Sequence, residues 1–531
     1  MLSACILSVP ARADKCAVLE SRSSLASLSG VRISSVEIIS DRPSLPGPAE
    51  RLSMLHIASQ PSVIRRQILF AAGDTVDTLL VGETMRRLRS QRIYSDAVLL
   101  ATRCDPDGDV AVVLKTRDSW TLRPSLRLRT GNQLSVGIED RNFMGTGRAI
   151  TVSREMTVRG VGASGALSDP FLFGTNVAAN VRLSNLAGGH TFKLSLKQHD
   201  FSVFDGWRSE ANFSRLSYGD TIVGERALHT ISGMFLVGRP ISRSNTGVLV
   251  AQMGALFDSA ASVSPTLRAS SGLGGEHVRS FVGLSAGLQL HTAVFDSASW
   301  IVPARSFLDV PLGWEGDGII AAGYERDART PALKFDGWAG REFLPSRGQI
   351  LMLDGWASGY AGRDVDRNQI IRVAAAWYKE AVRGMWGVRF TAEQLSEIDP
   401  DRRGLSLMPT ADYTAPVMRL YAARGGESVA GSIDRDVRLF HVGGASVVNF
   451  GAFVAGSYRW DVMDVPNNQI KAGVVGARFR ILSANGAISS IRMDIGYPVI
   501  RSAILERKPF LVMTYGTLFD VGRQRDGRRV Y

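Results

Sequence analysis

From Trp120 almost to its end the chain alternates apolar and polar residues with period two, and that texture limits what it can fold into. "HTFKLSLKQ" (190–198) sets Phe192, Leu194 and Leu196 against Lys193, Ser195 and Lys197. "RVAAAWYKEA" (372–381), "GVRFTAEQL" (387–395), "VVGARFRIL" (474–482) and "PFLVMTYGTLF" (509–519) repeat the theme between breaks rich in Gly and Asp. "GIEDRNFMGTGRAITVSRE" (137–155) joins two such stretches through a turn punctuated by Gly145 and Gly147, which predicts a hairpin. No long helical periodicity and no fixed-length repeat interrupts the pattern.

Alternation alone suits a soluble sandwich or a membrane barrel. A sandwich turns its apolar face inward, a barrel outward, and size separates them. The roughly 410 residues after Trp120 are too many for one sandwich and fit an even-numbered barrel in the mid-teens of strands. The 54 glycines and the tryptophans Trp338, Trp377, Trp386 and Trp460, expected at membrane interfaces, agree. No window holds eighteen consecutive apolar residues, which argues against a spanning helix but not against strands. Mean hydropathy is +0.03, as strands that average a wet and a greasy face require.

The net charge of +12 comes from 62 Lys+Arg against 50 Asp+Glu spread along the whole length. No basic run marks a nucleic-acid site, and no nucleic-acid partner is expected. "MLSACILSVPARADKC" opens with a short apolar run and reaches Ala11-Arg12-Ala13, a signal-peptidase pattern; residues 1–13 are expected to be a cleaved signal peptide. Leu2-Ser3-Ala4-Cys5 also spells a lipoprotein-style box, although the apolar run continues past Cys5. After cleavage Cys16 and Cys104 remain, either two separate thiols or a disulfide formed outside the cytoplasm.

Residues 31–118 read as a separate small α+β domain. "VRISSVEIIS" (31–40) is a strand, "SVIRRQILF" (62–70) a helix that Gly73 ends, and "VDTLLVGETMRRLRSQ" (76–91) a helix capped by Asp74 or Asp77. "YSDAVLLATR" (94–103) and "DVAVVLKTRD" (109–118) are strands about a turn at Asp105-Pro106-Asp107-Gly108. The order strand, helix, helix, strand, strand, with "VIRRQILFAAGD", "RRLRSQRIYSDA" and "VLKTRDSWTLRP" in sequence, resembles a POTRA (polypeptide-transport-associated) domain. That resemblance implies a non-catalytic periplasmic module that offers sheet edges to extended chains. The alternating strand 109–118, with Val112 at its centre, is the expected edge.

"GIEDRNFMGTGRAITV" resembles the first barrel hairpin of the bacterial surface-antigen family, the outer-membrane assembly barrels related to BamA and TamA. "VGGASVVNFGAFV", "AGVVGARFRIL" and "SSIRMDIGYPV" resemble its closing strands, and "PFLVMTYGTLF" its last. The resemblance implies a mainly β fold: a transmembrane antiparallel barrel of about sixteen strands over 121–531, preceded by one POTRA domain at 31–118. It also implies assembly or translocation of other proteins, with the outer-membrane bilayer, unfolded clients and accessory lipoproteins as partners. The family's Val-Arg-Gly-Phe or Val-Arg-Gly-Tyr loop motif is missing; by position Ala423-Arg424-Gly425-Gly426 comes nearest, leaving Arg424 and Gly425 as a candidate loop latch or a plain loop.

No cofactor, metal site or catalytic residue is expected. Gly283-Leu284-Ser285-Ala286-Gly287 spells a hydrolase elbow, but its flanks continue as an alternating strand where a strand-to-helix turn is needed. Gly160 to Gly165 spells G-x-G-x-x-G without a following helix. His190 and His199, the closest histidine pair, suggest no metal. Two alternatives stay open: a secretion pore for one dedicated client, and a barrel-embedded hydrolase using Ser285.

Overall fold

The computed structural model describes residues 17–19, 28–43, 50–54, 56–91, 93–103, 108–129, 133–157, 160–186, 189–198, 206–220, 226–244, 246–263, 277–292, 294–297, 309–326, 329–362, 369–396, 426–442, 446–460, 469–483, 489–501 and 509–517. Two units divide the chain. One takes in Met1–Thr121, Arg141–Gly147 and Asn485–Ala487; the other takes in Leu122–Asp140, Arg148–Ala484 and Ile488–Tyr531.

In the small unit, β1 (Ala17–Leu19) and β2 (Ile33–Asp41) are followed by α1 (Glu50–Ser53), α2 (Pro61–Arg65) and α3 (Thr78–Ser90), then by β3 (Tyr94–Arg103) and β4 (Val110–Asp118). Pro61 opens α2, where a missing N–H costs nothing, and Asp77 caps α3 by accepting from the Leu79 and Leu80 amides. Asp74 instead holds the Ala71 amide. Val110, Val112 and Leu114 of β4 are buried with Leu99, Leu88, Ile64 and Ile33 in one core. The predicted elements occur in the predicted order, with β1 as an added strand, α1 as an added short helix, and the helix expected over 62–70 confined to Pro61–Arg65.

One expectation changes. The sheet order is β1-β3-β4-β2, with β2 and β4 parallel, so "DVAVVLKTRD" is interior and Val112 lies opposite Val36 on one side and Ala101 on the other. A parallel return after two helices places the last strand in the middle and leaves β2 outermost. Among the described residues β2 pairs on one side only.

The large unit is almost entirely strand. Leu122–Arg129 (β5), Gln133–Phe143 (β6), Arg148–Thr157 (β7), Gly160–Asp169 (β8), Val177–Leu186 (β9) and Gly189–Gln198 (β10) come first. Arg208–Asp220 (β11), Arg226–Ser244 (β12), Gly247–Val263 (β13) and His277–Thr292 (β14) follow; Phe295–Ser297 (β15) and Asp309–Pro311 (β16) pair only with each other. Gly313–Glu325 (β17), Thr330–Phe343 (β18), Gln349–Ala361 (β19), Gln369–Ala381 (β20) and Gly384–Ser396 (β21) continue the sheet. Gly426–Val442 (β22), Ser446–Trp460 (β23), Gln469–Ser483 (β24), Ser489–Arg501 (β25) and Phe510–Thr517 (β26) complete it.

Each of these ladders is antiparallel, and they run from β7 to β26 without a crossover, β14 pairing with β17 past the separate β15–β16 pair. The β5–β6 hairpin forms its own ladder and falls between β26 and β7, so the strand order returns on itself. That order contains more strands than the expected sixteen or so. Some connections take few residues, as from Thr157 to Gly160 and from Ala381 to Gly384, which leaves room for additional strands.

Candidate functional site

Period two divides the large sheet into two unlike faces. Leu284 (75 % exposed), Met253, Ile320, Phe235, Val454 and Ile495 point outward. Their chain neighbours point the other way and are buried: Ser285, Gln252, Ala321, Leu236, Phe453 and Asp494. The buried face carries most of the unit's buried charge, and Arg478 and Asp494 are both fully buried. A single layer of strands can bury one face only by curling round it. Tyr360 of β19 donates to Asp258 of β13, four strands away, a gap of about 19 Å in a flat sheet.

The concave face holds two charged nodes. In one, Lys334 Nζ lies 2.8 Å from Asp258 Oδ2 and Arg279 NH2 lies 3.6 Å from Asp258 Oδ1, with both cations against the Tyr360 ring. In the other, Arg478 grips Asp494 with two bonds, 2.7 Å from Nε and 3.3 Å from NH2, while its NH1 lies 3.5 Å from Asp434. Arg389 also reaches Asp434 at 3.5 Å, Arg492 reaches Asp494 at 3.0 Å, and Arg480 bonds Asp436. Arg372 and Arg459 converge on Glu393 beside them. Each acid is met by at least one cation, from its own strand or from strands up to three away, which offsets the large cost of burying charge. Trp338 and Trp356 lie directly opposite each other on this charged face, contrary to an interfacial place for Trp338.

The small unit has a buried cluster of its own. Asp118 Oδ2 takes hydrogen bonds from His56 Nε2 (2.9 Å) and the Ser59 amide (2.7 Å), and its Oδ1 from Ser59 Oγ (2.8 Å). Asn142 Nδ2 donates to Ser59 Oγ at 2.8 Å, and Asn142 Oδ1 accepts the Gly147 amide at 2.8 Å. The Gln60 amide then binds the Gly145 carbonyl. Gly145 has φ +69°, and a Cβ there would strike the Ala58 carbonyl, which explains the glycine in the 144–147 turn. Burial, then the nearby Asp118 charge, holds the Tyr94 phenol well above its usual pKa. Although Ser, His and Asp meet, Ser59 and His56 both bind the carboxylate, so Asp118 fixes this turn and activates no nucleophile. Replacing Asp118 by Ala orphans several buried donors and should destabilise the unit by about 3 kcal/mol. Faster proteolysis of the 50–121 segment in the folded protein measures it.

Ser285 lies mid-strand in β14, on an extended backbone, and not on a strand-to-helix turn. Gly160–Gly165 lies within β8, and His190 in β10. Arg424, Gly425, Cys16, Cys104 and His199 lie outside the described residues. Among the described residues no three His, Cys, Asp or Glu side chains are grouped to hold a metal. Sequence reasoning missed the residues that form both nodes and the Asp118 cluster. The alternation Asp434-Arg435-Asp436, embedded between Ile433 and Val437, was the available signal for the larger node.

These features define a class: a wrapped antiparallel sheet, apolar outside and charged inside. No family model and no characterised protein matches the chain by sequence. Solved structures resemble it loosely. BamA from Haemophilus ducreyi lacking POTRA domains 1–3 shares 10 % identity over 92 % of this chain and 84 % of that one, at a TM-score of 0.40. CdiB from Escherichia coli shares 11 % over 95 % and 81 %, at 0.45, and CdiB from Acinetobacter baumannii 11 % over 94 % and 78 %, at 0.40.

Proposed function

We propose that the chain is an outer-membrane β-barrel that assembles other proteins or passes them across the membrane, without catalysing a reaction. One observation carries the membrane reading: the exposed face of the sheet is apolar and the enclosed face charged, the reverse of a soluble sandwich. In hydrocarbon each unpaired backbone group costs several kcal/mol, so a sheet whose order returns on itself is the form such a wall requires. The assembly reading follows from the small unit, with its strand, helix, helix, strand, strand core of POTRA type and the one-sided β2. An extended client chain added at β2 gains main-chain hydrogen bonds whatever its sequence. In this reading residues 1–13 are a signal peptide, the 31–118 domain lies in the periplasm, accessory lipoproteins attend it, and Arg424 is a loop latch.

Fractionation tests the reading. The full chain should sediment with outer membranes, resist extraction by salt, and migrate faster on gels when unboiled. Extraction by salt alone would remove the barrel reading; normal client levels after loss of the protein would remove the assembly reading.

We also propose that Cys16 and Cys104 form a disulfide. Ala17 and Arg103, their immediate neighbours, are antiparallel partners. Closing a loop of about 88 residues would stabilise the small unit by about 4 kcal/mol. Mass spectrometry of unreduced protein should find both cysteines blocked to alkylation; two alkylated thiols would refute the bond.

A further inference from the structure

We propose that the outward face carries stations for the phosphate groups of anionic phospholipids, each an arginine paired with a tryptophan across neighbouring strands. The proposal rests on the membrane reading above. Among the described residues the same arrangement occurs three times. The Arg239 guanidinium lies 5.7 Å from the Trp207 ring, Arg341 lies 5.7 Å from Trp314 and 4.5 Å from Phe343, and Arg435 lies 5.4 Å from Trp386. Trp314 stands directly opposite Arg341 in the ladder, and Trp386 directly opposite Arg435. Alternation with the buried Arg208, Glu342, Asp434 and Asp436 puts all three pairs on the apolar face, where the tryptophans are 61 %, 51 % and 42 % exposed.

All three pairs lie toward one end of the sheet, where β11, β17 and β21 begin and β12, β18 and β22 finish. Depth explains this placement. Arginine on a lipid-facing strand costs about 2–4 kcal/mol at the midplane and about 0–1 near the interface, and indole rings prefer the headgroup level. Among the described residues no carboxylate stands directly opposite these charges in the ladders: Ala251 stands opposite Arg239, Leu353 and Trp314 opposite Arg341, and Ala452 and Trp386 opposite Arg435. Arg435 also donates to the Val382 and Asp436 carbonyls, so it braces a turn as well. Arg239 and Arg341 are the cleaner stations. An indole ring beside the guanidinium limits its freedom, and the guanidinium's N–H edge matches two phosphate oxygens.

The test uses the full chain reconstituted in bilayers of phosphatidylcholine with phosphatidylglycerol, then released for native mass spectrometry. The wild type should retain phosphatidylglycerol in preference to phosphatidylcholine. The double variant R239Q/R341Q, which spares the turn-bracing Arg435, should retain about tenfold less. A second variant, W207F/W314F, should keep the fold and lose part of the retention. Equal retention by wild type and R239Q/R341Q, with both still migrating as folded barrels, would overturn the stations and leave the membrane reading standing. Failure of the wild type to enter bilayers would overturn both.

Discussion

Replacing Arg478 by Met is expected to lower the stability of the large unit by about 3 kcal/mol. Arg478 is fully buried and binds Asp494 in two-pronged fashion while facing Asp434. Met has similar reach and no charge, so the substitution leaves little cavity and isolates the electrostatic change. Arg492 still reaches Asp494, and Arg389 still reaches Asp434, which holds the effect toward the lower end of the range for broken buried pairs. A double-mutant cycle sharpens the test. R478M/D494N removes both halves of the pair and should recover part of the loss, because the buried carboxylate no longer lacks its cation. Urea midpoints of the fast-migrating gel band, taken in vesicles, measure all four species. A loss under about 1 kcal/mol in R478M would mean that the charged node does not hold this wall together.

The same residues show what the sequence made legible. Alternation revealed the strands, because the side-chain period of a strand is local and written along the chain. It also fixed β3 and β10 to within a residue or so. Ladder partners are not local. Arg480 meets Asp436 from 44 residues away and Arg478 meets Asp494 from 16, so no short window contains either pair. Asp434-Arg435-Asp436 shows an alternation locally but not its partners; in the sheet its acids turn inward and its arginine outward beside Trp386. The Asp118 cluster was hidden for the same reason. His56 and Ser59 follow a proline-rich connection that reads as loop, and their partner Asp118 lies about sixty residues on. The mistaken edge at β4 has a different origin. Strand identity was readable from Val110, Val112 and Leu114, but an unbroken apolar alternation marks a central strand as readily as an outer one. Only the parallel pairing with β2 decides it.

Because β2 and not β4 is the outer strand, β2 is where client capture is tested. Proline at Val112 would break a central ladder and unfold the small unit, so its phenotype would say nothing about an edge. Proline in β2 separates the two effects. Successive backbone N–H groups of a strand point to opposite sides, so of Glu37→Pro and Ile38→Pro one removes a bond to β4 and the other removes a donor from the outer edge. The ladder is regular at both positions, with Glu37 opposite Val113 and Ile38 opposite Leu114. One variant should therefore expose the small unit to protease, while the other stays resistant and merely loses its template. Both should still insert their large unit in the outer membrane. In a strain relying on the protease-resistant variant, client proteins should accumulate unfolded in the periplasm, with assembled clients lowered by about tenfold as the local concentration of chain beside the barrel falls. Full client assembly by that variant would exclude capture at β2. Full assembly by a chain lacking the whole small unit would leave a barrel that needs no docking module, and the assembly reading would give way to a simple pore.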